Sequence, residues 1–144
     1  MRGLTRGERG AATVEFVILL PLLVLILGVV LAGGRLAYAR TTVQQLADSG
    51  ARAASLTRDA GTAQAAAAEV IASDAANARL TCAGGVRHTV DASGFAAALG
   101  TGAEVDVHVD CTVTLADLLV PGLPGEWAVE GSATSAIDRY RGRR

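Results

Sequence analysis

Large apolar residues are concentrated in one stretch near the start of the chain. Between Glu15 and Arg35 lie 19 consecutive residues without a charge, and 14 of them are Leu, Ile, Val or Phe. At ~1.5 Å of rise per residue, a helix of this length spans roughly 28 Å, close to the hydrocarbon core of a bilayer. Insertion at about −0.4 kcal/mol per large apolar residue totals on the order of −6 kcal/mol, which Pro21 and the glycines reduce but do not reverse. The pattern predicts a transmembrane helix at residues 11–34, after a polar leader at residues 1–10.

A helical pattern continues beyond the apolar stretch. Apolar or small residues recur at spacings of 7, 4, 3 and 4 and share one helix face: Leu36, Val43, Ala47, Gly50 and Ala54. We predict one continuous helix over about residues 11–57, in which residues 35–58 form a stem that projects from the membrane. The alternative is a break at Gly33-Gly34, because glycine costs about 1 kcal/mol per position in an exposed helix.

A second, alanine-rich helix is predicted at residues 63–79, with Thr62 as its N-cap. Glu69 and Asp74 are expected to face outward. The residues expected to pack against the stem are Ala66, Val70 and Ile71. Because the connection between the two helices is short, they are expected to be antiparallel.

Beyond Cys82 the apolar period changes from 3.6 to 2, which indicates β-strands. Strands are predicted at residues 86–90, 104–115 and 127–137. They are joined by a connection at residues 92–102, with a helical turn near 95–99, and by a Pro-Gly turn at 121–125. The predicted fold class is α+β: an antiparallel sheet of about three strands, covered on its apolar face by the two helices. This domain spans residues 59–138, and residues 139–144 form a basic tail.

Composition excludes several classes of partner and substrate. The formal net charge is −1, so nothing favours nucleic acid. Aromatic residues make up 3% of the chain, so the core must be thin and a large substrate pocket is not expected. We therefore predict no cofactor and no small-molecule substrate. For the arginine-rich tail, a solvated terminus is preferred over docking to a partner or to anionic lipid.

A row of polar residues lies on the second predicted strand, where Asp106, His108 and Asp110 share one face. Aspartate and histidine bind divalent metals, but successive side chains on this face are about 6.6–7 Å apart and do not converge. An exposed polar face is therefore preferred over a metal site or an enzyme active site. No Gly-rich phosphate loop, CxxC, HExxH or GxSxG motif is present in the sequence, so no catalytic residue is assigned.

Two cysteines, Cys82 and Cys111, both follow the membrane segment. In an oxidising compartment they are expected to form a disulfide, which would contribute on the order of 3–4 kcal/mol for a loop of this length. The alternative is a free thiol at Cys111, buried on the same face as the neighbouring valines.

A cleaved signal peptide is the first rival interpretation of the apolar stretch, with Ala37-Tyr38-Ala39 as its cleavage site. The stretch is longer than a signal peptide uses and begins with an acid, so a membrane anchor is preferred. Within it, Pro21 is a candidate kink, and Gly28 and Ala32 are a small-residue pair that permits close helix packing. Arginines flank both ends of the stretch, so charge alone does not settle its orientation.

A specific spacing of residues begins at Gly10. Gly10 is followed by Ala11, and counting from Ala11 the acid Glu15 is fifth and the aromatic Phe16 is sixth. This spacing resembles the processing site of type IV pilins and pseudopilins. The longer pattern of RG-x-x-x-VEF, LP inside the apolar stretch, G-R after it and a Gln/Ala-rich helix ending in GARAA resembles the TadE-like family of minor pseudopilins. A weaker echo is LVPG at residues 119–122.

This resemblance implies a pilus-assembly protein of a tight-adherence (Flp) pilus. Prepilin peptidase would cut between Gly10 and Ala11, and Glu15 and Phe16 would take part in assembly. In that role Glu15 pairs with the free amine of a neighbouring Ala11; the alternative is an interfacial acid favoured by the helix dipole.

The resemblance also implies a location and a set of partners. The chain would be a single-pass protein of the bacterial cell membrane, with a cytoplasmic N-terminus and an extracytoplasmic domain. Its partners would be membrane lipid, other pilins and the assembly platform. The rival function is a single-pass, membrane-anchored extracytoplasmic binding domain unrelated to pili.

Overall fold

The first helix, α1 (Glu8–Ser55), is 48 residues long and continues without interruption through Pro21 and through Gly33-Gly34. The structure, a computed structural model, describes residues 8–98, 100–118, 121–122 and 124–140, with the side chains from residue 16 onward. The predicted continuous helix is confirmed, and the alternative of a break at Gly33-Gly34 is wrong. Packing of the stem against the rest of the domain offsets the roughly 1 kcal/mol cost of each glycine.

The described residues form a second helix and a three-stranded antiparallel sheet, which confirms the predicted α+β class. These elements are α2 (Ala60–Asn77), β1 (Arg87–Asp91), β2 (Ala103–Thr114) and β3 (Glu126–Ile137), with 3₁₀ turns at Ser93–Ala96 and Ala116–Leu118. The observed strand ends lie within one residue of the predicted ones. Residues 1–7 of the predicted leader, residues 141–144 of the tail, and Leu119 and Val120 of the LVPG segment lie outside the described residues.

Helix α2 begins three residues earlier than predicted, because Asp59 and not Thr62 is its N-cap. The Asp59 carboxylate accepts hydrogen bonds from the Thr62 backbone N–H at 2.9 Å and from the Thr62 hydroxyl at 2.8 Å. Thr62 is the third helical residue, so its N–H is one of the donors that the cap must satisfy. Both bonds lower the pKa of Asp59.

The buried face of α2 is a row of residues at i, i+4 spacing: Ala63, Ala67, Ile71 and Ala75. Ile71 was predicted to pack against the stem and does so, whereas Ala66 and Val70 flank this row and are half-buried. Glu69 is exposed as expected, but Asp74 is half-buried. The small side chains let the two helices approach closely: a Cβ placed on Gly50 of α1 would lie 2.8 Å from Cδ1 of Ile71.

The sheet has the order β1-β2-β3, so the longest strand lies at its centre. The alternating residues of β2 that were predicted to be buried are buried: Val105, Val107, Val109, Cys111 and Val113. Helices α1 and α2 cover this face, as predicted. The first 3₁₀ turn, Ser93–Ala96, comes two residues earlier than the predicted turn, whose last residue, Leu99, lies outside the described residues. Its position depends on Gly94, where a Cβ would overlap the backbone carbonyl oxygen of Glu104.

Cys82 and Cys111 form a disulfide with their Cα atoms 5.3 Å apart, so the predicted bridge is confirmed and the buried free thiol is wrong. The bridge ties the loop after α2 to the central strand. Next to it, the Ala83 N–H donates to the carbonyl of Thr112 at 2.7 Å. This covalent cross-link stabilises a domain whose core is built from small side chains.

Candidate functional site

The apolar half of α1 has almost no protein around it in the isolated chain. From Phe16 to Leu31, its large apolar side chains are between 42% and 69% exposed. Its most apolar window has a mean hydropathy of 3.0 and is long enough to cross a membrane. Full burial of such side chains is worth about 1.5–3 kcal/mol each, so leaving this surface in water would cost on the order of 10 kcal/mol or more. The helix is suited by length and composition to anchor the chain in a membrane.

The predicted processing and assembly residues lie at the start of this helix. Gly10 and Ala11 are in its first turn, and Glu15 follows Ala11 after one further turn of the backbone. Phe16, the next residue, is largely exposed. The helix therefore places Ala11, where cleavage would create a free amine, and Glu15 about one turn apart at the start of the apolar surface.

The predicted packing residues have different surroundings. Pro21 lies inside α1 without ending it. Gly28 is buried, and Ala32 is only 4% exposed and belongs to the buried cluster of the domain, against which half-buried Leu36 and Leu118 pack. The sequence pattern assigned Ala32 to contacts between membrane helices. The structure shows in addition that α1 meets the 3₁₀ turn Ala116–Leu118 of its own chain near this level.

An ion pair marks the end of the apolar half of α1. Nη1 of Arg35, the first charged residue after Glu15, lies 2.6 and 2.8 Å from the two carboxylate oxygens of Asp117. The Arg35 hydrogen bonds hold the pKa of Asp117 below its ordinary value. One helical turn further on, the Tyr38 hydroxyl donates to the carbonyl of Ala78 at 2.8 Å. The sequence analysis missed both contacts, since 82 and 40 residues separate the partners and no local pattern connects them.

The polar row Asp106, His108 and Asp110 lies on the face of the sheet opposite the core. Their register partners on β3 are Thr134, Ser132 and Glu130. The Thr134 hydroxyl donates to Asp106, and His108 and Asp110 line a shallow groove with Gln44. Within the described residues, no three His, Cys, Asp or Glu side chains converge as a metal site would require. The three side chains follow one another along β2, so the arrangement forms a polar surface of the sheet.

Comparison with known proteins identifies the N-terminal part of the chain. Residues 10–52 match the family model described as TadE-like protein. Searches of curated proteins and of solved structures found no match. The matched segment contains the exposed apolar half of α1 and most of the stem. The match indicates a protein associated with the Tad pilus, because the TadE-like family is a pilus-associated structural family. The predicted resemblance is confirmed: from Gly10 to Arg52 the chain carries the TadE-like segment.

Proposed function

We propose that this chain is a membrane-anchored minor pseudopilin that takes part in assembling a tight-adherence pilus or secretion system. The observation that supports the proposal is that the family match begins at Gly10 and covers the whole exposed apolar half of α1. A helix of this kind needs either lipid or other apolar helices around it. An assembling pilin meets both in turn, because it leaves the bilayer to pack among other subunits.

The chemistry of processing follows from the residues at the tip of α1. Cleavage of the peptide bond between Gly10 and Ala11 by prepilin peptidase removes the polar leader and creates a free amine on Ala11. Glu15 lies one turn further along α1. A carboxylate at this depth is stabilised by a cation, and the amine of a neighbouring subunit displaced by about one helical turn supplies it. The pair sets the axial offset between subunits.

The remainder of the chain fits the extracytoplasmic side of the membrane. The Cys82–Cys111 disulfide is typical of an oxidising compartment, and the domain that contains it follows the apolar helix. The leader, with Arg2, Arg6 and Arg9, then lies in the cytoplasm together with the active site of the peptidase. In this orientation the domain is presented to other pilins and to the assembly platform.

Intact-mass measurement of the membrane-extracted protein tests the cut. In cells with an active prepilin peptidase we expect the first ten residues to be missing. Gly10→Val should block this loss, because a branched side chain replaces the residue at the cleaved bond. Gly7→Val is the matched control in the same leader and should be processed normally. Full-length protein in the parent cells, or normal processing of Gly10→Val, contradicts the assignment.

Glu15→Gln tests the assembly role separately from processing. The substitution keeps the size of the side chain but removes its charge, so we expect normal cleavage and a loss of surface pili. Glu8→Gln changes an acid inside the leader, which is discarded on cleavage, and should leave piliation unchanged. Pili at the parental level in cells that carry Glu15→Gln exclude the amine–carboxylate pair.

A further inference from the structure

The end of the domain nearest the apolar half of α1 is held at a defined height along the helix. The Arg35–Asp117 ion pair fixes the 3₁₀ turn after β2, and the Tyr38–Ala78 hydrogen bond fixes the end of α2. Arg35 is also the first charged residue after the uncharged stretch of α1. This end, which we call the base, therefore lies where the transmembrane helix leaves the hydrocarbon.

Trp127 belongs to the base by two independent arguments. Its register partner on β2 is Val113, which lines a groove of about 440 Å³ together with Arg35 and Tyr38. The second argument is the height of Trp127 along α1. Gly131 lies against Val43, and α1 and β3 run in the same direction. Four strand residues back from Gly131 and eight helix residues back from Val43 are both roughly 12–13 Å, so Trp127 lies level with Arg35.

The base has the composition of a surface that lies at a bilayer interface. Trp127 is 40% exposed and Tyr38 is 55% exposed, and tryptophan and tyrosine are enriched at the level of the lipid headgroups. Between Asp117 and Glu126, the sequence has eight consecutive residues without a charge. Pro121 and Pro124 of this segment are exposed. The charge that precedes the segment, Asp117, is neutralised by Arg35.

We propose that the base is a second lipid contact, in which Trp127, Tyr38 and the exposed prolines lie among the phospholipid headgroups of the leaflet that α1 leaves. The proposal rests on the membrane anchoring in the proposed function and adds to it. The base continues the apolar surface of α1, which is why lipid and not a soluble partner is the occupant. The domain then contacts the membrane through the base until the subunit is assembled into the pilus. The Arg35–Asp117 ion pair keeps the base packed against α1.

Trp127 is the only tryptophan in the sequence, so its fluorescence reports directly on the base. The full chain is reconstituted in phosphatidylcholine vesicles and quenched with iodide from the water, or with lipids brominated at different depths. We expect emission at short wavelength, stronger quenching by bromines near the headgroups than near the chain ends, and iodide quenching about threefold weaker than for free tryptophan. Vesicle flotation confirms that the chain is inserted.

Asp117→Asn removes the charge that Arg35 holds, so the 3₁₀ turn is less firmly held and iodide quenching should rise about twofold. Asp138→Asn is the matched control, because Asp138 follows β3 at the opposite end of the domain and accepts a bond from the Tyr140 N–H. It should leave quenching unchanged. Circular dichroism verifies that both variants remain folded.

Three results would overturn the proposal. Strong iodide quenching without bromine quenching means that the base stands clear of the bilayer. Protection of Trp127 that increases with the protein-to-lipid ratio means that a second copy covers it. Equal quenching of the parent and of Asp117→Asn removes the role of the ion pair. Any of these, with normal cleavage and piliation, leaves the proposed function intact, whereas failure to float with the vesicles contradicts membrane anchoring itself.

Discussion

The backbone of α1 lies close against β3 at Gly131, and replacement of this glycine by alanine tests the packing of the stem. A Cβ at this position would lie 2.8 Å from the Val43 carbonyl oxygen, 2.9 Å from the Val43 carbonyl carbon and 3.0 Å from the Gln44 Cα. All three neighbours are backbone atoms of a helix, so no side-chain rotation relieves the clash. Either α1 or β3 must move by several tenths of an ångström.

Movement of α1 is resisted by its other contacts. Gly50 packs against Ile71 of α2, and the Gln44 side chain donates to the Ser132 carbonyl at 2.8 Å. Overpacking of this kind costs about 1–3 kcal/mol, whereas replacing a glycine inside a strand regains roughly 0.5–1 kcal/mol of backbone entropy. We therefore expect Gly131→Ala to lower the free energy of unfolding by about 1–2 kcal/mol, a five- to thirtyfold change in the folded-to-unfolded ratio.

Urea unfolding of the full chain in detergent micelles, followed by Trp127 fluorescence and by circular dichroism, measures this loss. Gly102→Ala is the matched control, because a Cβ there has no neighbour within 4 Å and the backbone is not in the left-handed region. It should stay within about 0.5 kcal/mol of the parent. If Gly131→Ala unfolds at the same urea concentration as Gly102→Ala, the stem does not approach the sheet as described.

Three further predictions concern the stability of the domain. Cys82→Ser with Cys111→Ser should lower the free energy of unfolding by about 3–4 kcal/mol in the same urea titration, and addition of reductant should have no further effect. Ile71→Ala should cost about 2–5 kcal/mol because Ile71 is buried between the helices, whereas Leu56→Ala, at a residue 81% exposed, should change little. Arg35 lowers the pKa of Asp117 below its ordinary value of 3.8, so the pair's contribution is present above that pH and is lost as pH falls through the lowered value. When the free energy of unfolding is measured as the pH is lowered, Asp117→Asn should lack the decrease that protonation of Asp117 causes in the parent.

Local pattern was sufficient wherever a structural feature repeats along the chain. The uncharged stretch after Glu15, the helical spacing of the stem and the alternation from Val105 to Val113 each depend on neighbours in sequence, and each predicted element is present. The spacing from Gly10 to Glu15 carried the family resemblance in the same way, and the TadE-like match confirms that resemblance. The cut itself and the pairing of Glu15 remain predictions.

Local pattern was insufficient where two nearby residues can fill the same role. Asp59 and Thr62 both have side chains that can cap a helix, and only the observed bonds show that Asp59 is the acceptor. Similarly, residues 66 and 67 are both alanine, and they differ only in the direction in which each points from the axis of α2. The choice of buried face depends on where α1 lies, which single-helix periodicity does not contain.

The sequence by itself determined that this chain has a helix suited to a membrane, an N-terminal segment that resembles the TadE-like family, and an α+β domain whose two cysteines can form a disulfide. These properties follow from hydrophobicity, spacing and cysteine number, which are local or compositional. Only the tertiary structure decided that Arg35 pairs with Asp117, that the stem packs closely against Gly131, and that Trp127 lies at the level where the apolar half of α1 ends. The first two are contacts between segments more than 80 residues apart. All three depend on the relative placement of packed elements, which no local pattern encodes.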